Sequence, residues 1–151
     1  MLSGMRHATH RSIAMAVMIV CGLCGLHAQA EVSGPYRVIS FNHTDRSIYS
    51  YQIDDFGAGG AYANESQGGS GIVCCLDVPP GKKTWHIRIV YDLTREEAQR
   101  NQPNEVYETD VPIPALPDKH RGYVAFHFLP DRKIVSQWVA RRIDAHVPDT
   151  R

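Results

Sequence analysis

Short runs of alternating residues, divided by turn chemistry, constrain this chain most. Thr84–Tyr91 is the plainest of them. Trp85, Ile87 and Ile89 fall on one side and His86 and Arg88 on the other, the period of a half-buried strand. Ser47–Ile53 alternates as strictly, with Ile48, Ser50 and Gln52 on one face and Tyr49, Tyr51 and Ile53 on the other. Tyr36–Phe41 reads as a strand before it. Asn42–Asp45 between the two is turn chemistry, so these first two strands are expected to form a hairpin.

Further along, Ile72–Val78 is a continuous apolar run, the pattern of a strand buried on both faces. Pro79-Pro80-Gly81 turns the chain. Thr94 and Glu97 stand three apart as a capping box, which opens one short helix through about Gln102, ended by Pro103. Residues 105–114 give a strand whose prolines at 112 and 114, with a third at 117, place its end at a sheet edge. Gly122–Asp131 reads as a strand and turn, and Lys133–Ala140 as its hairpin partner. The tail from Arg141 is polar and is expected to fray.

About seven short strands with one short helix predict an all-β or mostly β fold, an antiparallel β-sandwich or partly open barrel. Strands do not alternate with long helices, which excludes a doubly wound sheet. No internal repeat is visible.

The first 30 residues have another character. Arg6 and Arg11 precede an apolar run from Ile13 to Leu26, and Ala28-Gln29-Ala30 follows it. Basic flank, apolar run and small-x-small exit are the order of a secretory signal. The run is about 14 residues, short of the roughly 20 that a helix needs to span a bilayer. Cleavage is expected after Ala30, leaving one β-rich domain over 31–151 with its core at about 36–140 and its place in the periplasm or outside the cell. A lipoprotein needs a small residue before its modified cysteine, but Val20 precedes Cys21 and Leu23 precedes Cys24.

The remaining segment carries fourteen basic and sixteen acidic side chains, a net charge near −2. It has no basic stripe with interleaved aromatics, so nucleic acid is not an expected partner. It has no second apolar span.

Residues 54–71 are rich in Gly, Ser and Asn and read as one long loop, functional or mobile at that length. The loop has the composition of a phosphate cradle without the spacing. It either simply connects strands or presents Phe56, Tyr62, Asn64 and Glu65 to a partner. Cys74 and Cys75 are the two cysteines left after the signal. Adjacent strand residues point to opposite faces, so the pair reads first as two small buried hydrophobes. A vicinal disulfide is the alternative in an oxidising compartment. A zinc knuckle would need a two-residue gap between them. The histidines follow no metal-ligand or catalytic spacing, and His43, His86 and His127 meet only if folding brings them together. No metal or cofactor is called for.

Three ordered blocks, Ile39–Asp45, Gly68–Cys75 and Tyr123–Asp131, resemble the domain-of-unknown-function family 3304. Its pattern is an Asn-His-Thr-Asp turn, a glycine run entering a Cys-Cys strand, and a late His-Phe-Leu-Pro-Asp strand end. Here these are Asn42, His43, Thr44 and Asp45, then Cys74 and Cys75, then His127, Pro130 and Asp131. The resemblance implies an exported, often lipid-anchored protein of Gram-negative bacteria. It also implies, for some members, immunity to secreted lipases. It carries over no catalytic residue. The expected function is therefore a periplasmic binding protein that captures and blocks a secreted effector protein. The alternatives are an envelope structural component, or a small hydrolase using His43, His127 and a carboxylate.

Overall fold

The computed structural model describes residues 31–68 and 71–147, so the expected signal segment and Ser70 lie outside it. The strands are β1 (Ser33–Asn42), β2 (Ile48–Ile53), β3 (Phe56–Ala61), β4 (Ile72–Val78) and β5 (Thr84–Tyr91). After them come the helix α1 (Arg95–Gln99), then β6 (Val106–Pro112), β7 (Tyr123–Phe128) and β8 (Ile134–Val139). They form two four-stranded sheets, ordered β4-β1-β7-β8 and β3-β2-β5-β6. The fold is a mostly β, sandwich-like pair of sheets with one short helix. Among the named strand pairs all are antiparallel except β1 with β7, which run parallel.

The core lies between the sheets. Tyr36, Val38, Val124 and Phe126 from one meet Tyr51, Ile53, Trp85, Ile87 and Ile89 from the other. The Trp85 and Phe126 rings sit 5.4 Å apart, and Tyr51 meets Phe128 edge-on at 5.0 Å. A buried hydrogen bond of 2.6 Å joins the Ser40 and Tyr51 hydroxyls across the gap. The alternation of Thr84–Tyr91 is seen as expected, with Trp85, Ile87 and Ile89 inward. The hairpin β7–β8 and the capped helix are also seen. Thr94 and Glu97 bond reciprocally, Glu97 N–H to Thr94 Oγ1 at 3.2 Å and Thr94 N–H to Glu97 Oε2 at 2.8 Å. β6 lies at a sheet edge, as its prolines require.

Five expectations are corrected. First, β1 and β2 are not a hairpin, because the turn between them carries the chain from one sheet to the other. Alternation and turn residues do not distinguish a hairpin from such an arch. Second, residues 54–71 are not one loop, because β3 runs through them, paired with β2 across a turn at Asp54 and Asp55. Its glycines allow close approach: a Cβ on Gly60 would stand 2.6 Å from the Tyr49 carbonyl oxygen. Third, a bulge in β2 breaks its alternation, so Ile48 is buried with Tyr51 and Ile53 while Tyr49 faces solvent. Fourth, β4 is a half-exposed edge strand, with Leu76 and Val78 buried and Cys74 and Cys75 exposed and joined in a disulfide. Fifth, part of the described tail, residues 141–147, is anchored although most of it is exposed. Ala145 lies against a second apolar cluster of Ile39, Phe41, Ala125 and Val139 on the outer side of the β1 sheet, and the Arg142 guanidinium donates to the Gly68 carbonyl. With β3 the strands among the described residues number eight.

Candidate functional site

Asn42 ends β1 fully buried and builds the corner that follows. Its side-chain oxygen accepts from the Thr44 N–H at 3.0 Å and the Thr44 hydroxyl at 2.7 Å. Its amide donates to the carbonyls of Arg46 at 2.9 Å and Ala61 at 3.2 Å. Four bonds use the whole capacity of an asparagine side chain. The corner is fixed by them, and so are the positions of His43, Thr44 and Asp45.

Two other segments lock onto this corner. The 62–68 segment joins by its backbone, with Asn42 N–H donating to Glu65 O at 3.1 Å and Asn64 N–H to Thr44 O at 2.8 Å. The β7–β8 turn joins through His43 N–H, which donates to Phe128 O at 2.9 Å. That turn holds Asp131 at φ 59° and Arg132 at φ 57°, and Asn64 sits at φ 60°. Asn and Asp tolerate the left-handed region, as at Asp54 and Asn101 elsewhere, so Arg132 is the costly one of the three.

The three segments enclose an open cleft of about 510 Å³. His43, Thr44, Asp45, Arg46, Asn64, Pro130, Asp131 and Arg132 border it, with Tyr91, Glu105 and Leu129. The two arginines are held by acids and rings. Arg46 donates to both Glu97 oxygens at 3.2 Å and to Glu105, and lies 4.9 Å over the Tyr91 ring. Arg132 reaches the other Glu105 oxygen at 2.7 Å and lies 5.2 Å over Tyr107. Glu105 thus bridges two cations. The Thr94 N–H, and after it the Arg46 guanidinium, hold the Glu97 carboxyl below its usual range. Glu97 therefore ties α1 to the cleft as well as capping it.

Behind His43 lies His127, 1 % exposed, with His43 Nε2 and His127 Nδ1 at 3.1 Å. Phe41 stacks on the His127 ring, centroids 4.8 Å apart. Burial first, and the charge of His43 second, lower His127 to about 4. Gln137 works in the other direction, yet His127 Nε2 has no partner in hydrogen-bonding geometry. Burial also lowers His43. Both rings are neutral at pH 7, one donating its N–H to the other. Among the described residues no group of three or more His, Cys, Asp or Glu is placed to hold a metal ion.

Residues 41–135 match the model of a family described as a protein of unknown function, DUF3304. The chain belongs to the DUF3304 family. No curated protein and no solved structure matches it. In this DUF3304 chain the matched stretch opens at Phe41, one residue before the corner, and closes at Val135, just past the β7–β8 turn. Every residue that borders the cleft falls inside it.

The DUF3304 blocks Asn42–Asp45 and His127–Asp131 therefore meet in space, with Asn42, His127 and Phe128 buried and His43, Thr44, Asp45, Leu129, Pro130 and Asp131 at the cleft. Tyr62 and Asn64 stand beside them, Tyr62 being 70 % exposed. Glu65 bridges to Asn42. Phe56 does not join this group. It opens β3, whose other end precedes Tyr62, and packs half-buried against the core. Cys74 and Cys75 lie on β4, outside the cleft. Arg46, Glu105 and Arg132 escaped the sequence reading. Arg46 directly follows Asn-His-Thr-Asp and Arg132 directly follows Pro-Asp, a flanking signal that was legible.

Proposed function

We propose that the protein is exported and captures a protein partner with this end of the sandwich, in the manner of an immunity protein that blocks a secreted effector. The observation that carries the reading is convergence. Segments near 44, 64 and 131 meet on one cleft, held by a filled asparagine, left-handed turns and a bridged pair of arginines. A rigid, charged surface with an exposed tyrosine beside it suits a protein partner, since tyrosine and arginine are the side chains that anchor interfaces. Arg132 is more than half exposed despite its pairing, and so is free to exchange Glu105 for a partner's carboxylate.

The small-hydrolase reading draws on the contact between His43 and His127. It is the weaker one. A general base acts best with a pKa near the working pH, and His127, lowered to about 4, is a poor base there.

The test is affinity capture from the envelope and secreted fractions of the source cells, with wild type and a Tyr62→Ala/Arg132→Glu double variant. The reading expects one stoichiometric partner on the wild type and at least a tenfold loss on the variant at unchanged melting. No partner, or equal capture by both, contradicts it and favours an envelope structural role.

A further inference from the structure

We propose that the Cys74–Cys75 disulfide is a thiol-exchange site, opened in the folded protein by an external dithiol and closed again by the reverse exchange with an external disulfide, which is reduced to the dithiol. The first support is that the bond is a poor staple. It joins adjacent residues, and a cross-link stabilises mainly by closing a long loop of unfolded chain. The second is access. Both cysteines are exposed, on a strand that pairs with β1 on one side only. Exposed disulfides are the ones open to reduction and regulation.

The register gives the pair its setting. Tyr36 faces Leu76 and Val38 faces Val73, so Arg37 alone stands opposite both cysteines. The disulfide fills a bulge, outside the ladder that fixes β4 to β1. Arg37 is exposed between two buried neighbours, and so lies on the outer face with the exposed sulfurs. Cys75 also lines an open cleft of about 770 Å³ with Phe56, Lys82 and His86 and with Asp54, Asp55 and Asp77, and Lys82 pairs with Asp54 at 3.2 Å.

The exchange is a two-step displacement. One thiolate of the dithiol attacks the sulfur of Cys75, forming a mixed disulfide. The bond between the cysteines breaks, and its electron pair leaves on Cys74, which takes a proton from water. The second thiolate of the dithiol then attacks its own sulfur in the mixed disulfide, and Cys75 leaves as a thiolate and is protonated. Two electrons pass to the pair, and the dithiol ends as a disulfide. β4 keeps its pairings on either side of the bulge, so the fold survives the change.

The test treats the purified full chain with dithiothreitol in native buffer, quenches and alkylates it, and reads the tryptic peptide from Ser47 to Lys82 by mass. Both cysteines should be alkylated, with circular dichroism unchanged and melting moved by less than about 4 °C. In a Cys74→Ser variant, Cys75 should take up one glutathionyl group from oxidised glutathione in native buffer. The proposal is overturned if both cysteines resist alkylation until denaturant is added. It is equally overturned if the pair is found as free thiols in air-oxidised protein, or if reduction unfolds the chain.

Discussion

Acid should loosen this protein through one histidine. His127 has an ordinary value of 6.5 and is lowered to about 4 in the fold. A depressed histidine binds fewer protons folded than unfolded between those two values. Its contribution to stability is then full above pH 6.5 and is lost as pH falls toward 4. At 1.36 kcal/mol for each tenfold change in proton affinity, the whole effect is about 3 kcal/mol, and about 2 kcal/mol of it is gone by pH 5. Positive charge on His43 or His146 lowers the ring further, and the neutral Gln137 works in the other direction. His43 is itself lowered, which adds in the same direction. His86 is raised by Asp110, so its stabilisation is present below pH 6.5 and fades as pH rises, but it sits apart on the exposed face of β5 and is common to both proteins compared. The assay is urea unfolding of wild type and His127→Gln at steps from pH 7.5 to 4. Glutamine keeps a hydrogen-bonding group for His43 and cannot titrate. The difference in unfolding free energy between the two proteins should shrink by about 3 kcal/mol over that range. Parallel curves would refute the reasoning, because His127 would then titrate alike folded and unfolded.

Other substitutions test the scaffold of the cleft. Asn42→Ala removes four hydrogen bonds from a buried corner and should cost about 2–4 kcal/mol in urea unfolding. Gly60→Ala puts a Cβ 2.6 Å from the Tyr49 carbonyl oxygen and 2.7 Å from that of Ile48, and should destabilise by about 1–3 kcal/mol. Gly57→Ala in the same strand meets nothing within 4 Å and should stay within about 0.5 kcal/mol of wild type in the same titration. Thr94→Ala removes the N-cap of α1 and should cost about 1 kcal/mol locally, read as faster amide exchange over residues 95–99.

What the sequence made legible was local. The inward face of β5, the capping box and the β7–β8 hairpin follow from period, cap and turn residues that lie within a few positions of each other. What stayed hidden depends on where distant pieces go. Asn42–Asp45 announces a turn, but not whether it closes a hairpin or crosses to the second sheet, where the Asn42 amide reaches the Ala61 carbonyl. β3 was masked because Phe-Gly-Ala-Gly-Gly-Ala has almost no strand propensity of its own, and its glycines answer to close packing against β2. The bulge in β2 flips Tyr49 to solvent without a trace in the alternation. The cysteines read as buried because their run is apolar, but an edge strand leaves one side open. His43 and His127 are 84 residues apart and meet only because parallel pairing of β1 and β7 sets Phe41 opposite His127.

Hydrogen exchange on the captured complex tests the central claim most directly. Amides of free and partner-bound protein would be compared segment by segment. The account predicts new protection at residues 42–46, 62–68 and 129–133, the three segments that border the cleft, and little change elsewhere. Protection confined to the open edges of β3 and β4, with those three segments unchanged, would contradict it and move the binding surface to the side of the sandwich.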